Sequence, residues 1–215
     1  MTDESCSGAT GPYPSDCDIT QGLLARARQR EEQRMAERGT SWSAALSRAA
    51  KVKLLLLDVD GVLTDGSIVY THSGTEMKAF NTKDGFGIRL LQESGVAVGV
   101  ITARTSEAVR RRAEDLKLSH VHQGIRNKIE VFERILASEQ LAPAEVAYMG
   151  DDWLDLPLLI RVGLAAAPAD AVAEVREIAH YVAASPGGRG AVREICNLII
   201  AARGKERELL EKYRR

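Results

Sequence analysis

The sequence predicts an α/β fold in which a doubly wound, Rossmann-like parallel sheet is covered by helices on both faces. Two apolar runs, residues 54–57 and 96–101, are typical of strands buried on both faces of a parallel sheet. The third observation is that segments with helical spacing alternate with short apolar segments up to residue 202. Such alternation favours right-handed crossovers between parallel strands.

The composition limits the classes of protein to which the chain can belong. It has 215 residues, of which 45% are hydrophobic, enough for one good core. A net charge of -1 gives no electrostatic reason to bind nucleic acid or an anionic membrane. No apolar span approaches the roughly 20 residues that cross a bilayer, and the N-terminus has no signal-peptide core. Three cysteines without metal-ligand spacing favour a reducing compartment, so we expect a cytoplasmic protein.

The chain divides into three predicted parts. Residues 1–49 form an N-terminal extension, which we expect to be disordered over 1–18 and to contain a peripheral helix over about 20–37. Residues 50–202 contain the alternating strands and helices and form the main domain. Residues 203–215 form a charged C-terminal tail.

The first strand, residues 52–57, is followed by a predicted hairpin rather than by a helix. Residues 68–70 and 77–80 read as two short strands, and residues 71–74 join them with a loop that contains glycine. An isolated hairpin is only marginally stable, so this one is expected to pack on the body or on another subunit.

The later elements alternate regularly. Asp84 and Gly85 open a helix that ends at Gly95, and Thr105 is expected to cap a helix that runs to about Leu116. The remaining predictions are a strand over 120–123, a helix from Asn127, a strand over 146–149, a helix over 155–162, a strand over 163–166, a helix over 169–178, a strand over 180–183, a glycine-rich loop over 187–190 and a helix over 191–202.

Asp58 and Asp60 end the first strand, and Gly61 follows them at once. Asp and Gly are ordinary turn residues, so the two acids could simply cap a turn. Two carboxylates at the end of a buried strand nevertheless repel each other and lose hydration, which a divalent metal ion would relieve. The carboxyl end of a strand is also where open α/β sheets bind their ligands.

Other strand ends and helix starts contribute further polar groups. Thr102 follows the second strand, Lys128 starts a later helix, and Asp151 and Asp152 end the strand over 146–149. This combination suits phosphoryl transfer: a carboxylate attacks phosphorus, Mg²⁺ masks the charge repulsion, and the hydroxyl and ammonium groups bind phosphate oxygens. Asp60 is placed to protonate the leaving alkoxide and then to activate water.

These positions resemble the four motifs of the haloacid dehalogenase superfamily of phosphohydrolases. The motifs occur in the expected order, each at a strand end or a helix start. They are Asp58-Val59-Asp60-Gly61-Val62, Ile101-Thr102, Lys128 and Gly150-Asp151-Asp152.

A narrower resemblance, over residues 51–202, is to the 3-deoxy-D-manno-octulosonate 8-phosphate phosphatase family. It implies a capless domain, a homotetramer built partly by the hairpin, and a role in lipopolysaccharide precursor synthesis. It also implies that the segment around Gly187 to Glu194 closes a neighbouring active site. The matching segments are 60–66, 80–89, 101–104, 123–124 and 187–194.

The resemblance assigns roles to individual residues. Asp58 resembles the nucleophile and a Mg²⁺ ligand, Asp60 the acid/base and a ligand through its carbonyl, and Asp151 the third ligand. Thr102 and Lys128 resemble the residues that hold the phosphate. The positions that resemble contacts to the sugar acid are Asn81, Thr82, Lys83, Asp84, Gly85, Arg89, Arg104 and Arg112.

Several of these residues also allow simpler interpretations. Thr102 could merely end a strand, and Arg112 could belong to a solvated helix face with its neighbours. Asp152 and Asp155 could be helix caps. Lys128 at a helix N-terminus opposes the helix dipole, which favours a ligand role for it.

Three functions compete at this stage. The leading one is a Mg²⁺-dependent phosphatase of a small sugar-acid phosphate, with an eight-carbon or a nine-carbon acid as substrate. A receiver-like domain that accepts phosphate would carry a similar acidic cluster, but Asp60 provides a built-in means of hydrolysing an aspartyl-phosphate. A catalytically inactive scaffold is the third, and the intact motifs argue against it.

Overall fold

The computed structural model describes residues 42–214 and, before them, Gly22, Ala25, Arg26 and Gln29. These four residues are helical and exposed. The predicted disorder over 1–18, and most of the predicted helix over 20–37, lie outside the described residues. Residues 42–214 belong to one compact unit.

The main sheet has six parallel strands, which lie side by side in the order 120–122, 97–101, 54–57, 146–149, 164–167 and 181–182. This confirms the predicted doubly wound α/β fold. The strands of this sheet are β1 (Leu54–Leu57), β4 (Ala97–Ile101), β5 (His120–His122), β6 (Val146–Met149), β7 (Leu164–Ala167) and β8 (Tyr181–Val182).

The helices cover both faces of this sheet, because alternate residues of β1 enter two different hydrophobic clusters. Leu55 and Leu57 pack with the helices over residues 42–49, 82–93 and 191–202, whereas Leu54 and Leu56 pack with those over 128–139 and 156–159. The helices are α1 (residues 42–49), α2 (Thr82–Glu93), α3 (Glu107–Asp115), α4 (Lys128–Glu139), α5 (Leu156–Leu159), α6 (Ala173–Ile178), α7 (Ala191–Ala202) and α8 (Glu206–Lys212).

The strand register brings the functional positions to one edge. Leu57 pairs with Val100 of β4 and with Met149 of β6. The next residue, Asp58, donates its backbone N–H to the carbonyl of Met149 at 3.0 Å. The residues that follow β1, β4 and β6 therefore meet at the carboxyl edge of the sheet, as the fold class requires.

The hairpin is a separate antiparallel pair, β2 (Val69–Tyr70) with β3 (Glu76–Met77). Its strands are shorter than predicted. Between β1 and α2 the described chain adds only this hairpin, so no cap domain is inserted there. Four of its apolar side chains are largely exposed: Ile68, Val69, Tyr70 and Met77.

Several predicted helix bounds were wrong. The helix α2 begins at Thr82 rather than at Asp84, because the Asn81 side chain accepts a hydrogen bond from the backbone N–H of Lys83 at 2.8 Å. Ser106, not Thr105, precedes α3. The predicted helix over 155–162 is a 3₁₀ turn (Trp153–Asp155) followed by the short α5, and of the predicted 169–178 only α6 is helical.

Both ends of the compact unit extend beyond the predicted main domain. In α1, Ala45 and Ala49 are buried in the core, so the fold includes residues that precede position 50. At the other end, the charged tail forms α8, whose Leu209 reaches the same core cluster. Lys212 and Tyr213 both bind the carboxylate of Glu93 at the end of α2. Within the described part of the chain, no helix is long and apolar enough to traverse a bilayer.

Candidate active site

Lys128 lies at the centre of the site. It is the first residue of α4 and is almost fully buried. Its Nζ lies 2.9 Å from Asp58 Oδ1 and 2.6 Å from Asp155 Oδ1. Burial opposes its charge, but the two carboxylates outweigh that effect and raise the pKa of Lys128. It is therefore a charged ammonium beside the predicted nucleophile.

Asp155 contacts four donors and is only 1% exposed. Its Oδ1 accepts from Lys128 Nζ and from the Tyr148 hydroxyl, each at 2.6 Å. Its Oδ2 accepts from the backbone N–H groups of Asp151 and Asp152, at 2.9 and 3.3 Å. These bonds use all the acceptor sites of the carboxylate, so Asp155 holds the other groups in place. The prediction that Asp155 could be a helix cap accounts for its two bonds from backbone N–H groups, but not for those from Lys128 and Tyr148.

Three carboxylates lie close enough together to surround a metal ion. One oxygen each of Asp58, Asp151 and Asp155 falls within 4.8 Å of the others. Burial raises the pKa of Asp58 to about 6 and, together with the neighbouring carboxylates, raises that of Asp151 to about 8. Carboxylate oxygens are the ligands that Mg²⁺ prefers, and a cation would offset this crowding. Because Asp155 is saturated, Asp58 and Asp151 are the side chains that fit Mg²⁺ best.

Gly61 allows the loop after β1 to approach Asp151. Its φ of +81° lies in the left-handed region. A Cβ at this position would lie 2.0 Å from Asp151 Oδ2. Glycine is therefore required here both for backbone conformation and for space.

Asp60 lies in a closed ring of four alternating charges. Its Oδ1 contacts Lys78, which also contacts Glu76 at 2.9 Å. Glu76 binds Arg104 at 2.8 Å, and Arg104 Nε lies 3.9 Å from Asp60 Oδ2. Hydrogen bonds from Lys78 and Arg104 lower the pKa of Glu76. Neither Lys78 nor Glu76 was predicted to belong to the site. Their only signal in the sequence is that they stand two residues apart, which places them on the same face of a hairpin strand.

Thr102 is buried at the same edge, directly after β4. Its Oγ1 accepts a long hydrogen bond, 3.4 Å, from the backbone N–H of Arg104. Since its oxygen is the acceptor in that bond, its hydroxyl hydrogen is available to donate to a ligand.

The predicted substrate positions separate into two groups. Arg104 lies beside Asp60, as described above. Asn81 and Asp84 instead make structural contacts: Asn81 caps α2, and Asp84 accepts from Gly190 N at 3.2 Å and from Arg193 N at 2.8 Å. Asp84 thereby supplies the N-terminal cap that α7 lacks locally.

The other predicted contacts lie around α2 and α3. Arg112 donates to the Asn81 carbonyl at 3.2 Å and lies over the Phe80 ring, and a Cβ on Gly85 would meet its guanidinium. Arg89 donates to the carbonyl of Asp115 at 3.3 Å. Thr82 and Lys83 are exposed. That these residues contact the sugar acid of the substrate stays a prediction.

The glycine-rich loop over 187–190 packs against the nucleophile loop of its own chain. Gly188 donates to the carbonyl of Val62 at 2.9 Å. A Cβ on Gly187 would lie 1.7 Å from the carbonyl oxygen of Gly61. In this chain the loop is thus a close-packed support for the loop that carries Asp60.

No family model matches the chain. Over 160 residues the chain is 46% identical to the 3-deoxy-D-manno-octulosonate 8-phosphate phosphatase of Yersinia pestis. The matched region covers 74% of this chain and 86% of that protein. A haloacid dehalogenase superfamily hydrolase of Legionella pneumophila superposes with a TM-score of 0.78 at 38% identity, over 81% of this chain and 96% of that one.

A third similar protein was solved with ligands. The 3-deoxy-D-manno-octulosonate 8-phosphate phosphatase of Moraxella catarrhalis, in complex with a magnesium ion, a phosphate ion and the sugar acid, superposes with a TM-score of 0.77. The identity is 35%, over 78% of this chain and 97% of that one. From its sequence identity, its fold and its cluster of acids, this chain belongs to the 3-deoxy-D-manno-octulosonate 8-phosphate phosphatase family of the haloacid dehalogenase superfamily.

Proposed function

We propose that the chain hydrolyses 3-deoxy-D-manno-octulosonate 8-phosphate to the free sugar acid and phosphate, with Mg²⁺ as cofactor. One observation supports this most directly: Lys128 bridges Asp58 and Asp155 at a strand end, beside Asp151. The arrangement provides a nucleophile, a fixed cation and a metal site within one cluster. Membership of the family gives the substrate.

In the first step a carboxylate oxygen of Asp58 attacks the phosphorus and the ester P–O bond breaks. The electron pair of that bond goes to the sugar oxygen, which takes a proton from Asp60. The phosphoryl group is then carried by Asp58. In the second step Asp60 takes a proton from a water molecule that attacks the phosphorus, and the bond to Asp58 breaks. Phosphate is released and both carboxyl groups return to their starting states.

Other residues of the chain stabilise the charge that moves in these steps. Lys128 and the Thr102 hydroxyl would hold the phosphoryl oxygens. Arg104 offers a planar fork that suits the carboxylate of the sugar acid. Asp58 and Asp151, with the Asp60 carbonyl as the predicted further ligand, would hold a Mg²⁺ ion, which would mask the charge repulsion between nucleophile and phosphate.

The test is phosphate release from 3-deoxy-D-manno-octulosonate 8-phosphate, measured with Mg²⁺ and with a chelator. We expect chelator to abolish turnover and Asp58→Asn to abolish it even with Mg²⁺. A matched control is Lys53→Met, which removes an exposed ion pair with Glu145 at the opposite end of β1 and should keep activity. Turnover in chelator, or full activity of Asp58→Asn, would contradict the mechanism. A parallel assay with the nine-carbon 9-phosphate tests the substrate length.

We also propose that the protein acts as a homotetramer in the cytoplasm, in lipopolysaccharide precursor synthesis. The exposed apolar hairpin residues support association between copies. The buried free thiol of Cys196 suits a reducing compartment. Analytical ultracentrifugation tests the assembly, and Tyr70→Lys on the hairpin is expected to dissociate it. A wild-type monomer at micromolar concentration would contradict it.

A further inference from the structure

Lys78 is a buried charge to which the motifs assign no role. Its side chain is only 1% exposed, although it comes from the hairpin and not from the sheet. Burying an ammonium is costly unless it is paired, and both of its partners are carboxylates, Asp60 and Glu76. Lys78 is therefore held in place by two carboxylates, one of which belongs to Asp60.

The two oxygens of Asp60 have different surroundings. Oδ1 is the oxygen that Lys78 contacts. Oδ2 is buried and, among the residues that the structure describes, accepts no hydrogen bond. Arg104 Nε lies 3.9 Å from Oδ2 and is likewise buried without a hydrogen bond to any described residue. One oxygen is therefore anchored and the other is available.

A general acid needs an oxygen that is free to hold the transferred proton and is aimed at the leaving group. A carboxyl group whose two oxygens were equally free could rotate, and would present the protonated oxygen only part of the time. Anchoring Oδ1 by a buried cation removes that freedom and leaves Oδ2 for proton transfer.

We infer that Lys78 is a positioning residue for the proposed reaction: it holds Oδ1 of Asp60 so that Oδ2 delivers the proton to the leaving sugar oxygen. In the second half-reaction the same Oδ2 takes the proton from the attacking water. Glu76 fixes Lys78 and Arg104 together, so the hairpin completes the acid/base machinery. This inference rests on the proposed function and adds to it the residue that orients the acid.

Substrates that differ in their leaving group depend to different extents on the proton from Asp60. An alkoxide must be protonated as it leaves, whereas the 4-nitrophenolate ion leaves without a proton. The kcat/KM value reports steps only up to the first irreversible one, here the transfer of the phosphoryl group to Asp58. Loss of acid positioning should therefore lower kcat/KM for the sugar phosphate and largely spare it for 4-nitrophenyl phosphate.

The experiment compares wild type, Lys78→Met, Lys78→Arg and Asp60→Asn on both substrates with saturating Mg²⁺. General acid catalysis is worth about 10²- to 10⁴-fold, so we expect Lys78→Met to lower kcat/KM for the sugar phosphate by at least about tenfold more than for 4-nitrophenyl phosphate. Lys78→Arg keeps the charge and should recover part of the loss. The double variant Asp60→Asn with Lys78→Met should be no slower than Asp60→Asn alone.

Equal losses on both substrates, or losses that multiply in the double variant, would overturn the inference and leave Lys78 with a structural role only. If Lys78→Met does not fold, Glu76→Gln takes its place, since it loosens Lys78 and should show the same dependence on the leaving group. Lys53→Met is the matched control and should change neither value. A wild-type protein that hydrolysed 4-nitrophenyl phosphate but not the sugar phosphate would refute the proposed substrate instead, and the comparison would then use an alkyl phosphate that it does hydrolyse.

Discussion

The ammonium of Lys128 lies 2.6 Å from Oδ1 of Asp155, and the Tyr148 hydroxyl donates to the same oxygen at the same distance. Lys128 starts α4 and Tyr148 lies in β6, so the contact ties a helix, a strand and the turn after that strand together. Burial and the Asp155 carboxylate also raise the pKa of Tyr148, which keeps its hydroxyl protonated and able to donate. This arrangement orients the residue that stands beside the nucleophile.

We predict that Asp155→Asn lowers both stability and activity. An amide offers one acceptor oxygen where four donors converge, so at least one buried donor loses its partner, at a cost of about 1–3 kcal/mol. Phosphate release should fall because Lys128 and the backbone of Asp151 lose their anchor. Urea unfolding and the steady-state assay measure the two effects. Asp152→Asn is the control, because its exposed carboxylate accepts from Trp153 N and an amide oxygen can still accept there, so a comparable loss in that variant would contradict the prediction.

Gly61 and Gly74 allow backbone strain to be separated from crowding. Their φ values are +81° and +80°, but a Cβ on Gly74 would meet nothing within 4 Å. Gly74→Ala should cost about 1–2 kcal/mol and leave Mg²⁺ activation unchanged. Gly61→Ala carries the same strain and also pushes on the Asp151 carboxylate, so we expect at least about tenfold weaker activation by Mg²⁺. Titration of activity with Mg²⁺ decides this, and equal activation in both variants would show that Asp151 is not displaced.

The acidic cluster predicts an unusual dependence of stability on pH. The folded pKa values of Asp58 and Asp151, about 6 and about 8, lie above the ordinary value of 3.8. The folded state therefore binds more protons than the unfolded state, and the free energy of unfolding falls as the pH rises from 5 to 8. At these pKa values the two groups together give a fall of about 5 kcal/mol between pH 5 and 8 in chelator, most of it from Asp151, since one pKa unit corresponds to about 1.4 kcal/mol.

Saturating Mg²⁺ should remove this slope, because the ion binds the deprotonated carboxylates and stabilises the folded state. Thermal or urea unfolding at pH 5, 6, 7 and 8, with and without Mg²⁺, measures it. Asp151→Asn in chelator is the control and should lose most of the slope. Parallel curves with and without the ion would mean that these carboxyl groups do not bind it.

Asp84 links α2 to the start of α7, since its two oxygens accept from Gly190 N and Arg193 N. We predict that Asp84→Ala lowers the free energy of unfolding by about 0.5–2 kcal/mol, the usual cost of losing a helix cap. It should also loosen the glycine-rich loop that packs on Val62, which hydrogen exchange of the Gly188 amide would report. Asp65→Ala removes a local bond from Ser67 N and an exposed ion pair with Arg189 at 3.7 Å, which contributes little, so Tm should stay nearly unchanged. An unchanged Tm in Asp84→Ala would assign this residue to substrate binding alone.

Much of the fold could be predicted because its signals are local. The apolar run that forms β1 and the acids that follow it lie within seven residues. A continuous apolar run indicates a strand buried on both faces, whichever strands lie beside it. The doubly wound sheet follows from alternation and crossover handedness. Helix starts were less predictable, because caps such as Asn81 compete with nearby candidates of similar propensity.

By itself, the sequence determined the fold class, the strand-end positions of Asp58, Asp60, Thr102 and Asp151, and the helix-start position of Lys128. Only the tertiary structure showed that Asp155 anchors Lys128, that Lys78 and Glu76 enclose Asp60, and that Asp84 caps a helix over a hundred residues away. The reason is physical: local propensity and periodicity depend on neighbours along the chain. A buried ion pair depends instead on which oxygen and which ammonium the packed elements bring within about 3 Å, where burial makes an unpaired charge costly.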